Sequence, residues 1–116
     1  MSRHLESKLQ IACVRWYRYQ YPEAARLLIH VPNGGYRNAT EAKRLMAEGV
    51  VAGVADLVLF IPRHGYHALF IELKIGKNKQ STPQKEWEQA TKEQGYAYKV
   101  VYTLEEFMNL IELYLK

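Results

Sequence analysis

Two apolar runs separated by one short turn govern what this chain can fold into. They are GVVAGVADLVLF (49–60) and HALFIELKIGK (67–77). Both are rich in Val, Leu, Ile and Phe, the composition of strands that pack on a core. Residues 55–61 read as one strand and residues 66–75 as the next, joined by the four-residue turn 62–65, PRHG. Two strands so close in sequence form an antiparallel hairpin. Side chains alternate along a strand, so Leu69, Ile71 and Leu73 face one way, and Phe70, Glu72 and Lys74 face the other. Asp56 opens the partner strand beside the Gly49 and Gly53 bends. The short turn brings that opening opposite the far end of the returning strand. Asp56 and Glu72 therefore face each other if they fall on the same side.

Carboxylates within a few ångströms repel, so one must hold a proton or a cation must sit between them. Hard oxygen ligands suit Mg²⁺ or Mn²⁺ far better than Zn²⁺. An adjacent lysine can then orient a water or offset charge on an attacked phosphate. The competing reading is a solvated carboxylate and a surface Glu-x-Lys ion pair. Asp56 on the hairpin partner and the basic loop GKNKQ (76–80) favour the functional reading.

Periodicity and punctuation fix the remaining elements. Residues 2–19 form a helix with Leu5, Leu9, Ala12, Cys13 and Trp16 as a buried stripe, ended by Tyr21-Pro22. Glu6, Gln10, Cys13 and Tyr17 share one line on it, which brings Glu6 toward the carboxylates if the helix packs on the sheet. Residues 27–31 are a short strand and PNGGYRN (32–38) a loop. Asn38 with Glu41 resembles a capping box for a second helix that Gly49 ends. Ser81, Pro83 and Gln84 open a third helix, stopped by Gly95. Residues 98–102 form the last strand. Thr103 and Glu106 cap a final helix with Phe107, Leu110, Ile111 and Tyr114 on its apolar face. The order is α-β-α-β-β-α-β-α, an α/β domain with a central mixed β-sheet flanked by helices.

A chain of 116 residues, 48 % hydrophobic and 24 % charged, is expected to be one soluble globular domain spanning 1–116. The net charge of +4 is compatible with a polyanionic partner and equally with simple solubility. Cys13 is the only cysteine, so no internal disulfide forms, and its place on an apolar helical stripe makes it a core residue. There is no signal-peptide block and no apolar run long enough to span a membrane, so a cytoplasmic setting is expected. Arg37, Lys43 and Arg44 flank one side of the glycine loop and Lys77, Lys79 and Lys85 the other, as a candidate track for a polyanion. Arg15, Arg18 and Arg26 are further candidates. Trp16 and Trp87 lie at helical spacing with other apolar residues, which makes both core residues rather than base-stacking platforms.

Taken together these residues resemble the PD-(D/E)xK nuclease superfamily, through Asp56 followed by Glu72-Leu73-Lys74 on the next strand. The fuller pattern is similar to its VRR-NUC branch, the virus-type replication-repair nucleases. It runs through Glu6, Asn33-Gly34 with Arg37, Gly49-x-x-x-Gly53-x-x-Asp56, Ile71-Glu72-Leu73-Lys74 and Gln84 with Trp87. It covers nearly the whole chain, and departs from the superfamily name in having Ala55 before the aspartate.

The resemblance implies a restriction-endonuclease-like core and a metal-dependent, structure-specific DNA endonuclease. Asp56, Glu72 and the Leu73 carbonyl would hold Mg²⁺ or Mn²⁺, with Glu6 completing or supporting that shell. Lys74 would position and deprotonate the attacking water, and Gln84 would reach the same pocket. Asn33, Gly34 and Gly53 would shape the loops, and Arg37 would contact phosphate. The resemblance also implies branched DNA such as Holliday junctions as substrate and, for two symmetric cuts, a homodimer. A phage or bacterial host cytoplasm is the implied setting. Flap or end processing, and a catalytically inactive nucleic-acid-binding domain, are the alternatives.

Overall fold

The sheet is built on the hairpin. In the computed structural model, which describes residues 2–32 and 38–116, β2 (Leu57–Leu59) pairs antiparallel with β3 (Leu69–Leu73). The register sets Leu57 opposite Ile71 and Leu59 opposite Leu69. β1 (Leu28–His30) adds antiparallel to β2, and β4 (Ala97–Val101) runs parallel to β3, giving the order β1-β2-β3-β4. Asn33, Gly34 and Arg37 lie outside the described residues.

The strands are shorter than their apolar runs. β1 offers only three residues to β2, and Pro62 follows directly on the apolar run. At the other end the ladder stops because the Leu73 N–H is taken by a side chain, the Asp56 carboxylate, at 2.7 Å.

Helices cover both faces. α1 (Ser2–Gln20) and α4 (Leu104–Tyr114) lie on the face of Leu57, Leu59, Leu69, Ile71 and Leu73. Cys13, Tyr17, Phe107 and Ile111 fill that core, each fully buried. The line through Glu6, Gln10, Cys13 and Tyr17 is thus the one turned toward the sheet, while Leu5, expected on the buried stripe, is 48 % exposed. Burial pushes the Cys13 thiol up to about 12, the behaviour of an inert core residue. Trp16 packs edge-on against Phe107, with centroids 6.0 Å apart.

The opposite face belongs to α3 (Thr82–Glu93), where Trp87 meets Phe70 at 4.7 Å and Tyr98 at 6.0 Å. Both tryptophans therefore pack, as their spacing predicts. The β3-α3-β4 connection is the crossover that parallel strands require. α2 (Ala39–Ala47) buries none of its residues. A 3-10 helix, Pro22–Leu27, fills the link between α1 and β1, which the sequence pattern does not reveal.

Three helices start as their capping residues predict. The Asn38 side chain accepts from the Glu41 N–H, and Thr103 Oγ1 accepts from the Glu106 N–H at 3.0 Å. Ser81 and Gln84 form a reciprocal capping box on α3.

Candidate active site

The parting of β2 and β3 creates the site. Extending the register by one pair beyond Leu57–Ile71 sets Asp56 opposite Glu72. Asp56 Oδ2 accepts the Leu73 N–H at 2.7 Å, so its carboxylate lies against the end of β3. Lys74 N–H goes the other way, to the Val101 carbonyl of β4 at 3.0 Å. Backbone groups alternate sides along a strand, so the Leu73 C=O points to the same side as its N–H, toward Asp56. The Asp56 backbone is itself anchored, its carbonyl accepting from Val31 N–H at 3.1 Å and from His30 Nδ1 at 2.8 Å.

Glu72 is 1 % exposed, the one charged residue in the core among the described residues. Its two oxygens are treated differently. Oε1 accepts from the Tyr98 hydroxyl and from Gln80 Nε2 at 3.3 Å. Oε2 is buried with no hydrogen-bond partner, and Lys74 Nζ stands 3.7 Å from it, an ion pair too long for a hydrogen bond. Gln80 also donates to Glu88 Oε1 at 2.9 Å, and Glu88 pairs with Lys92 at 2.6 Å. Burial, then the Glu72 carboxylate, push the Tyr98 phenol upward, so it stays a donor. One oxygen is clamped and the other left open.

Glu6 arrives from α1 on the opposite face of the sheet and is half-buried. Burial raises its pKa, Lys74 and Asn78 pull it down, and Asp56 and Glu72 push it up. Glu6, Asp56, Glu72 and Lys74 thus share one electrostatic site. Among the described residues, however, no three His, Cys, Asp or Glu side chains close into a cage for a metal. The acidic set is open, with a two-carboxylate centre and Glu6 at its margin. Mg²⁺ accepts such a site, because it keeps several waters and takes substrate phosphate oxygens as ligands. The orphaned Glu72 Oε2 is the observation that fits a cation, since a buried carboxylate oxygen with no donor is otherwise costly.

Gln84 is placed differently from the pocket role implied for it. Its Oε1 accepts the Ser81 N–H at 2.7 Å and so closes the α3 cap. Gln80, from the loop read as merely basic, is the amide that reaches Glu72. Tyr98 is the other residue the sequence does not single out. Its alternation on β4 is legible, but the parallel register that sets it opposite Phe70 is not. Gly53 holds φ at +89°, and a Cβ there would lie 2.3 Å from the Pro83 carbonyl oxygen. The loop before Asp56 and the start of α3 are therefore in backbone contact. Of the basic candidates, Lys43, Lys77, Lys79 and Lys85 are exposed, and Arg44 pairs with Glu48 at 3.2 Å.

Burial raises the Asp56 carboxyl above its ordinary 3.8, and Glu72 adds to the rise, while the Leu73 N–H, His30 and Lys74 oppose it. A carboxyl with a raised folded pKa contributes stability that is fully present below its unfolded pKa and lost as pH rises through the folded one. Asp56→Asn keeps an acceptor for the Leu73 N–H without the charge. With chelator present it is expected to melt above the wild type at pH 8, the gap shrinking as pH falls. Melting curves from pH 8 down to the ordinary aspartate pKa of about 3.8 check this, and a gap that never narrows contradicts it.

The VRR-NUC domain model matches residues 5–104. The chain belongs to the VRR-NUC family. It is thus a nuclease-family domain, with DNA as the implied substrate. A solved structure titled "VRR_NUC domain protein" superposes with a TM-score of 0.82 at 26 % identity, over 95 % of this chain and 87 % of that one. Another, titled "VRR_NUC domain", gives 0.58 at 20 % identity over 94 % and 96 %, a likeness of fold. No curated protein is similar enough to count as a match. Among the described residues no helix is long and apolar enough to cross a membrane.

Proposed function

We propose that residues 1–116 act as a single nuclease domain, a Mg²⁺- or Mn²⁺-dependent endonuclease that cuts branched DNA, Holliday junctions above all. The observation that carries this is the buried Glu72, clamped through Oε1 by Tyr98 and Gln80 and open at Oε2 beside Lys74. A surface ion pair would not be built in this way. Asp56, Glu72 and the Leu73 carbonyl would hold the cation, and Glu6 would support it from the margin. When bound, the cation supplies Lewis acidity and lowers the pKa of a coordinated water.

The chain's own residues do the rest. Lys74 Nζ, half-buried at the open side of Glu72, holds the attacking water and offsets charge on the phosphate as it becomes pentacoordinate. The water oxygen bonds to phosphorus as the bond to the leaving oxygen breaks, and that oxygen takes up a proton. The attacking water gives one proton to Lys74 Nζ as the base, and the ammonium so formed is what offsets the phosphate charge beside Asp56 and Glu72. Tyr98 and Gln80 stop Glu72 from turning away. Gln84 supports the site through the α3 cap, and Gly53 lets that cap approach the Asp56 loop. Arg37, with Lys43, Arg44, Lys77, Lys79 and Lys85, completes the proposed DNA-contacting set, and Asn33 and Gly34 keep the loop-shaping role implied by the family pattern.

Resolving a four-way junction takes two symmetric cuts, so two copies pair about a two-fold axis. The buried, unreactive Cys13 suits a reducing cytoplasm, phage or bacterial. The test is a panel of end-labelled junction, flap, single-stranded and duplex DNAs with Mg²⁺, Mn²⁺ or chelator. Paired cuts in the junction, absent with chelator, and a dimer by light scattering are expected. Cutting of flaps or ends by a monomer would replace the junction reading. No cutting, together with no rise in melting temperature on adding Mn²⁺, would leave a nucleic-acid-binding domain.

A further inference from the structure

A groove of about 790 Å³ runs between α1, the 3-10 helix and the free edge of β1. Its floor is apolar, from Ile11, Val14 and Ile29. Arg15 and Arg18 enter from α1, and Arg26 from the 3-10 helix. All three are exposed, and none takes part in an ion pair or side-chain hydrogen bond among the described residues. Glu23 is the single carboxylate in the lining. Three guanidiniums from two elements therefore converge on one channel with little acid to neutralise them.

The position of the groove matters as much as its charge. At one end it is lined by His30, whose Nδ1 donates to the Asp56 carbonyl. Gln10, also in the lining, stands one helical turn beyond Glu6 on the same line of α1. From Gln10 to Arg18 the helix advances about 12 Å at 1.5 Å per residue. Guanidinium suits phosphate oxygens through its bidentate fork.

The geometry points to this groove as the seat of one DNA strand, its phosphates on Arg15, Arg18 and Arg26, leading to the Asp56–Glu72 centre. The assignment rests on the nuclease reading for what happens at that centre, but binding can be read without cleavage. The contacts are to phosphate, so they position DNA without reading sequence. They add a strand path along α1 and β1 to the contacts proposed for Lys77 and Lys79.

The probes are a fluorescein-labelled four-way junction and a linear duplex, with Ca²⁺ or chelator, followed by anisotropy across a salt series. The variant Arg15→Ala/Arg18→Ala/Arg26→Ala is expected to bind at least about tenfold more weakly. Its slope of log K against log salt should fall by about 2–3, near 0.9 per lost phosphate contact. A charge-matched control, Arg63→Ala/Lys99→Ala/Lys116→Ala, lies outside the groove and should keep most of the slope. Unchanged affinity and slope in the groove variant overturns the proposal, and so does an equal loss in the control. Should the triple variant fail to fold, Arg18→Glu alone is the test, with weaker binding and a lower slope supporting the groove and unchanged binding overturning it. Groove-dependent binding without metal-dependent cutting supports the groove and refutes the nuclease. Cutting with groove-independent binding does the reverse.

Discussion

Glu72→Gln is expected to leave the fold intact and to lower metal-dependent DNA cleavage by about a hundredfold or more. Glutamine matches glutamate in size and can keep an oxygen for the Tyr98 hydroxyl and Gln80 amide, so the buried network survives. It removes the charge at Oε2, the atom without a donor, on which cation binding is proposed to depend. The melting temperature with chelator should hold or rise, because the carboxyl group replaced is only 1 % exposed and its burial is costly. The rise on adding Mn²⁺ should vanish. Tyr98→Phe is the contrast. It deletes one bond to the carboxylate, destabilises by about 1–3 kcal/mol and weakens cleavage less. Single-turnover cleavage beside melting curves separates the two. Full activity in the glutamine variant would remove Glu72 from the proposed centre.

Gly53→Ala should be among the most damaging substitutions outside the carboxylates. The position has φ of +89°, and its new Cβ would lie 2.3 Å from the Pro83 oxygen and 2.8 Å from the Gln84 nitrogen. Those are backbone atoms of the α3 cap and cannot rotate aside. Left-handed strain of about 1–2 kcal/mol and overpacking of about 1–3 kcal/mol add to about 2–5 kcal/mol. That is a large share of the 5–15 kcal/mol that holds a typical domain together. Gly49→Ala is the control, since φ is +114° but nothing lies within 4 Å, so only strain remains. Denaturant melts should place Gly53→Ala well below Gly49→Ala. Equal losses would mean that the close approach to α3 is not maintained in solution.

The helices were legible in the residues because their signals are local. Ser81 with Gln84, Thr103 with Glu106, and the Cys13–Tyr17 line all act within two turns of chain. The hairpin was legible because its turn is short. Strand ends were not, since they depend on what a neighbour offers: β1 pairs over three residues, and a carboxylate rather than a strand takes the Leu73 N–H. Within the site, Asp56, Glu72 and Lys74 follow from alternation on adjacent strands. Tyr98 lies 26 residues from Glu72 and meets it only through a parallel register fixed by the α3 crossover. Gln80 sits in a run of lysine and asparagine with no periodicity to mark it. Gln84, singled out through its likeness to the family pattern, spends its amide oxygen on the helix cap.

The packing of α1 against α4 has a consequence for how the chain matures. Glu6 is made well before Phe107, yet its helix is seated partly by that residue, against which Trp16 rests. The α4 segment must leave the ribosome before that seat exists. The acidic cluster therefore comes together only after α4 has emerged, and a nascent chain still missing α4 would present its hairpin to nucleic acid with the cluster unfinished.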